Sequence, residues 1–223
     1  QAGDLNVTNA LTNNGTLKVT ATSSADVVTF EGTTGTVDIG SGVVLTLNQS
    51  GGSTYSGTII GDGGFTKAGG GNLTLSGSNS YTGDTTISNG GILTAGVNDA
   101  LGTSGSINVT DTATYDLSGF TQTADQIDTA TGTDLSLGNG TLTASGGTLD
   151  GTITGTGTLT KNGTSPLTIN NDNSATWTSG TTDINEGKVI LSDGGALGGT
   201  TVSIDGATLS SGTDGIAIGN VIT

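Results

Sequence analysis

Apolar and polar residues alternate in short runs along the whole chain. The run Asn-Leu-Thr-Leu-Ser (72–76) alternates strictly, the two-residue period of a strand with one buried face. Similar short runs centre on Ile59, Phe65, Ile87, Leu93, Ile107/Val109 and Leu117, separated by about 6–14 residues that contain glycine. The first 54 residues follow the same grammar in LNVTNAL, GTLKVTA, DVVTFEG, GTVDIG and VVLTLNQ. No segment keeps a helical period beyond one or two turns. The pattern predicts an all-β chain of short strands joined by Gly-, Asn-, Ser- and Asp-rich turns. Glycine inside a strand weakens it by roughly 0.5–1 kcal/mol relative to alanine, so the 42 glycines are expected between strands.

The chain also repeats itself. Residues 56–82 align with 150–178 at an offset of 94 residues, which pairs Gly57 with Gly151, Lys67 with Lys161 and Leu73 with Leu167. Two inserted residues then bring Tyr81 onto Trp177. Farther on, TTISNGGIL (85–93) matches TTDINEGKVI (181–190), and ALGTSGSINV (100–109) matches ALGGTTVSI (196–204). Repeat units of about 55–119 and 149–212 thus sit in a single elongated domain, 1–223, with no linker or composition shift between them. Evenly spaced short strands fit an antiparallel sandwich or a solenoid of stacked parallel strands. The long repeat, the thin apolar content and the turn residues favour the solenoid. Coils of roughly 20–25 residues would give about 9–11 coils and a length of roughly 45–50 Å.

The run GTIIGDGGFTKAGGGNLTLSGSNSYTGDTTISNGGIL closely resembles the passenger-associated transport repeat of bacterial autotransporters. Lys67, Leu73, Leu75, Asn79, Tyr81, Gly83, Thr85, Ile87 and Leu93 occupy that motif's positions. The second copy departs from it at Pro166 and Ile169, carries Trp177 in place of the tyrosine, and is expected to be bent or bulged. The resemblance covers residues 55–103 well and 149–200 loosely. It implies a right-handed parallel β-helix, secreted by a Gram-negative-type bacterium and displayed outside the cell. The translocator barrel usual in that family is not visible in this sequence.

Composition narrows the chemistry. With no His and no Cys, catalytic triads, imidazole–metal sites and thiolate chemistry are excluded, as are disulfides. The net charge of −15, with four lysines as the only bases, leaves no basic patch for nucleic acid. No stretch approaches the apolar length of a membrane-spanning helix, so this segment is not expected to insert in a membrane. Carboxylate groups at Asp111/Asp116, Asp125/Asp128/Asp134 and Asp183/Glu186 are the candidates for acid–base work, and turn formation and solubility are the competing reading. The run NNDNS (170–174) carries close oxygen ligands but lacks the glycine and glutamate of a calcium loop. GDGG (61–64) and GTGT (155–158) lack the following helix of a phosphate loop. Tyr81 and Trp177 are expected to pack a corner, and Lys67 and Lys161 to face solvent beside aspartates.

No catalytic, cofactor-binding or metal-binding residue is therefore assigned, and no cofactor is expected. The apolar stretch GIAIGNVIT and the absence of a capping helix suggest ends able to pair with other copies. The reading these observations support is a non-enzymatic extracellular structural or adhesive surface protein, a rigid stalk or passenger. Its partner would be a host-cell, surface or matrix ligand. The alternative is a self-assembling filament or matrix subunit joined head to tail.

Overall fold

Alternation and glycine spacing produce a three-sided solenoid in the computed structural model, which describes residues 5–6, 9–102, 105–212 and 218–223. Every strand pairing recorded among these residues is parallel. The expected runs LNVTNAL, ALGTSGSINV and GIAIGNVIT each lie partly outside the described residues. No helix among the described residues is long and apolar enough to cross a membrane.

The first face is one ladder from Leu5–Asn6 to Thr208–Ser211, about ten coils in all. Coil-to-coil steps on this face are 20 or 22 residues, as in Phe65 to Thr85 and Thr85 to Ile107. The second face carries Ala10–Thr12 and Thr29–Glu31, then the six strands from Ser53–Tyr55 to Thr152–Thr154. The third face carries Thr16–Val19, Thr36–Ile39 and Thr58–Gly61 at one end. At the other it carries the first half of Thr121–Thr129, the first half of Thr141–Leu149, then Thr158–Lys161, Thr181–Ile184 and Thr201–Ile204.

Alternate residues on each face point inward and stack into columns. Leu73, Leu93, Tyr115, Leu135 and Ile153 are paired in register on the second face, and all are buried. Each such side chain contributes about 1.5–3 kcal/mol on burial. A single coil holds only a few, so the coils are stable only as a stack.

Pro166 does not break the second copy of the repeat. Leu167–Ile169 pairs with Gly147–Leu149 on one side and Val189–Leu191 on the other. The two copies nevertheless occupy different faces. Phe65 and Lys67 lie on the first face, paired with Thr85 and Ile87. Their counterparts Leu159 and Lys161 lie on the third, paired with Thr182 and Ile184. An offset of 94 residues is four coils and two further faces, so the repeat has turned about the solenoid axis.

Candidate functional site

The polar motif residues point inward. Asn79 Oδ1 accepts a hydrogen bond from Ile59 N at 2.7 Å, and its Nδ2 donates to Ala100 O at 2.6 Å. One side chain thereby fastens its own coil to the coils on both sides. Asn173 repeats the arrangement, accepting from Ile153 N and donating to Ala196 O, each at 2.8 Å. Gln122 does similar work, accepting from Leu101 N and donating to Gly102 O. Tyr81 and Trp177 are both buried, as a packing role predicts. The Tyr81 hydroxyl lies 2.6 Å from Thr85 Oγ1, whereas the Trp177 indole N–H has no partner.

Lys67 and Lys161 correct the expectation that they face solvent: both are fully buried. Lys67 Nζ donates to Ala68 O and Gly69 O, each at 2.9 Å. Lys161 Nζ donates to Gly163 O and, at 3.1 Å, to Glu186 O. The ammonium groups satisfy carbonyls where the chain turns a corner. Burial pushes the Lys67 amine down to about 8. Burial lowers Lys161 as well, opposed by the Glu186 carboxylate. Alternation carried the signal, because Lys67 stands two residues after Phe65 and Lys161 two after Leu159.

The carboxylates are spread over the outside. Asp116 Oδ1 accepts from Ser118 N at 2.9 Å, a local turn. Asp111 is exposed with φ +51°. Asp128 Oδ1 accepts from Thr148 N in the next coil, while Asp134 lies on the second face. Asp183 stands in a third-face strand and Glu186 in the turn after it. No three His, Cys, Asp or Glu among the described residues gather where they could hold a metal ion. Within NNDNS, Asn173 is a core fastener and Asp172 Oδ1 accepts from Ser174 N, which lowers its carboxyl below the ordinary value. The GDGG and GTGT segments are tight corners. A Cβ on Gly63 would lie 2.3 Å from Ile39 Cγ2, and one on Gly157 2.3 Å from Gly140 O.

What remains for contact is the outer surface. Lys18 and Lys188 are the exposed lysines, so apart from them the exterior of the described residues is acidic or neutral. A shallow depression of about 350 Å³ includes Val43, Asp62, Thr66, Asp84 and Asn108 in its lining. The chain itself engages both of its carboxylates, Asp62 from Thr82 Oγ1 and Asp84 from Ser106 N. The third face presents threonines in successive coils.

Comparison with known proteins adds to this geometry. Residues 65–95 and 159–191 match the passenger-associated transport repeat. The chain is 35% identical over 201 residues, 85% of its length, to an adhesin autotransporter, BmaC, of Brucella suis biovar 1 (strain 1330). It spans only 6% of the length of that relative. No solved structure matches it significantly.

Proposed function

We propose that this chain, a β-solenoid carrying two passenger-associated transport repeats, is a rigid non-enzymatic adhesive passenger outside a Gram-negative cell. The observation that carries the proposal is the similarity across 85% of the chain to a protein named as an adhesin autotransporter. The geometry agrees with it. The reactive side chains of the motif are spent inside the stack, and the carboxylates are dispersed over turns and strand positions, which supports a surface of contacts rather than a reaction centre. The mechanism is mechanical: hydrogen-bonded coils hold an elongated body whose outer faces meet a host-cell, surface or matrix ligand.

The test is display of the chain on a non-adherent Gram-negative cell, with binding scored on epithelial cells, fibronectin or collagen coats and bare surfaces. Adhesion above that of the parent cell is the expected result. Display without adhesion to any of them overturns the adhesive reading and leaves only the scaffold.

End-to-end self-association is a second reading. It draws support from an apolar cavity of about 290 Å³ lined by Leu191, Ile204, Leu209, Ile218 and Ile222 at one end of the stack. Sedimentation across a concentration series would show growing rods if this end pairs, and a constant monomer if it does not.

A further inference from the structure

Four asparagines of the chain are followed directly by glycine: Asn14, Asn89, Asn139 and Asn162. Such pairs carry a reaction of their own. The glycine amide nitrogen, once deprotonated, attacks Cγ of the asparagine side chain, and glycine has no Cβ to obstruct the approach. Three of the four stand in the same triplet, Asn-Gly-Thr, at 14–16, 139–141 and 162–164. The residue that follows asparagine governs the rate in an unfolded chain, so only the fold separates these three.

All four asparagines are exposed, but the nitrogens that would attack them differ. Gly15 N donates to Asn13 Oδ1 at 3.2 Å, Gly90 N to Asp111 O at 2.9 Å and Gly140 N to Leu137 O at 2.8 Å. Each must give up that bond before its nitrogen can turn on the neighbouring side chain. The Asn14 side chain is engaged as well, its Oδ1 accepting from Thr33 N at 3.0 Å. Gly140 is buried besides. At the fourth pair, neither Gly163 N nor the Asn162 side chain has a hydrogen-bond partner among the described residues.

The corner explains the difference. Asn162 follows the strand Thr158–Lys161, and its own N is the last to join the ladder, donating to Ala144 O at 2.9 Å. Gly163 then takes φ +148°, and a Cβ there would lie 2.8 Å from Ser145 Cβ. Packing thus demands the glycine. It does not demand the asparagine, because the aligned corner of the first repeat copy carries Ala68 between Lys67 and Gly69. The carbonyl of Gly163 is one of the two that hold the Lys161 ammonium, so a reaction here alters a corner that fastens coils.

We propose that Asn162–Gly163 is a self-modifying site that turns asparagine into aspartate or isoaspartate with water as co-reactant, independently of the adhesive reading. Gly163 N loses its proton and bonds to Asn162 Cγ. The Cγ–Nδ2 bond breaks, and Nδ2 leaves as ammonia with that proton. Water then opens the cyclic imide. Opening at Cγ leaves aspartate in an unaltered chain, and opening at the main-chain carbonyl leaves isoaspartate, with one more carbon between Asn162 Cα and Gly163 N. Either product adds a carboxylate at the Lys161 corner, and isoaspartate also shifts the carbonyl that Lys161 holds.

The test ages the purified, folded chain in mildly alkaline buffer at body temperature and maps peptic peptides by mass spectrometry at intervals. The mass change of amide to acid is expected several-fold faster at Asn162 than at Asn14, Asn89 or Asn139. In urea the three Asn-Gly-Thr triplets should converge on one rate. Asn162→Ala should remove the fast phase of ammonia release with unchanged circular dichroism. Equal rates at the four sites of the folded chain overturn the proposal. A lead of Asn162 over the other two triplets that persists in urea also overturns it, because the fold would then have no part in the selection.

Discussion

Single side chains set how the coils hold together, and two of them give direct tests. The Lys67 amine titrates near 8 when folded, below its ordinary 10.5. Between those values the unfolded chain binds more protons than the folded one, so stability should rise with pH across that window. Below about pH 8 the cost of burying the ammonium is fully present. Burial raises the hydroxyls of Tyr55, Tyr81 and Tyr115, which acts in the opposite sense once unfolded tyrosines ionise near pH 10. Urea denaturation at about pH 7.5, 8.5 and 9.5, before the unfolded tyrosines ionise, should therefore show a rising midpoint. A Lys67→Met chain should show a flatter profile, with the residual slope due to Lys161. Asn79 gives the second test. Asn79→Ala leaves Ile59 N and Ala100 O buried and unpaired, and should lower stability by roughly 2–5 kcal/mol. Neither role follows from residue type alone, since lysine and asparagine in a glycine-rich repeat read as surface. Their place in the alternation does carry it: Leu73, Leu75, Asn79 and Tyr81 stand at even spacings and all are buried.

At the scale of strands and corners, the sequence was most legible. Runs predicted around Ile59, Phe65, Ile87, Leu93 and Ile107 all form strands or flank them, with those side chains buried. The glycine argument also gains a sharper form, because corner glycines differ in what they do. A Cβ on Gly77 would lie 1.8 Å from Gly57 O, whereas a Cβ on Gly70 meets nothing within 4 Å. Gly77→Ala should thus push two coils apart and destabilise by about 1–3 kcal/mol, the usual range for overpacking. Gly70→Ala should be neutral or slightly stabilising, through the entropy of the unfolded chain. Thermal melts of the two variants beside wild type measure the contrast, and equal shifts would refute it. What the sequence hid was the face on which each strand lands. Lys67 and Lys161 align perfectly along the chain yet sit on different sides, because coil length and repeat length are not commensurate. Likewise the threonines of the third face line up only when Thr121, Thr141, Thr158, Thr181 and Thr201 are brought into register, at steps of 20, 17, 23 and 20 residues. No fixed period in the sequence exposes them.

The whole molecule follows from contacts between neighbouring coils. Strands pair only with the coil before or the coil after their own, so stability is close to a sum of coil terms and interface terms. Damage at one interface should then stay local. Asn79→Ala loosens the coil of Ile59 on one side and that of Ala100 on the other. Strands from Thr141 onward pair with neither coil in the recorded ladders and keep their own fastener at Asn173, which ties Ile153 to Ala196. Native-state hydrogen exchange of the Asn79→Ala chain should show lost protection centred on residues 58–61 and 99–102. Protection at 141–169 should match wild type. The reciprocal substitution, Asn173→Ala, should move the loss to 152–154 and 195–198 and spare 58–61. A uniform loss across the chain in both variants would mean that the solenoid opens as one cooperative body, and the nearest-neighbour picture would have to be abandoned. A local loss has a functional consequence: a coil on the outer surface can be altered, or engage a ligand, without weakening the coils that hold the rest of the rod straight.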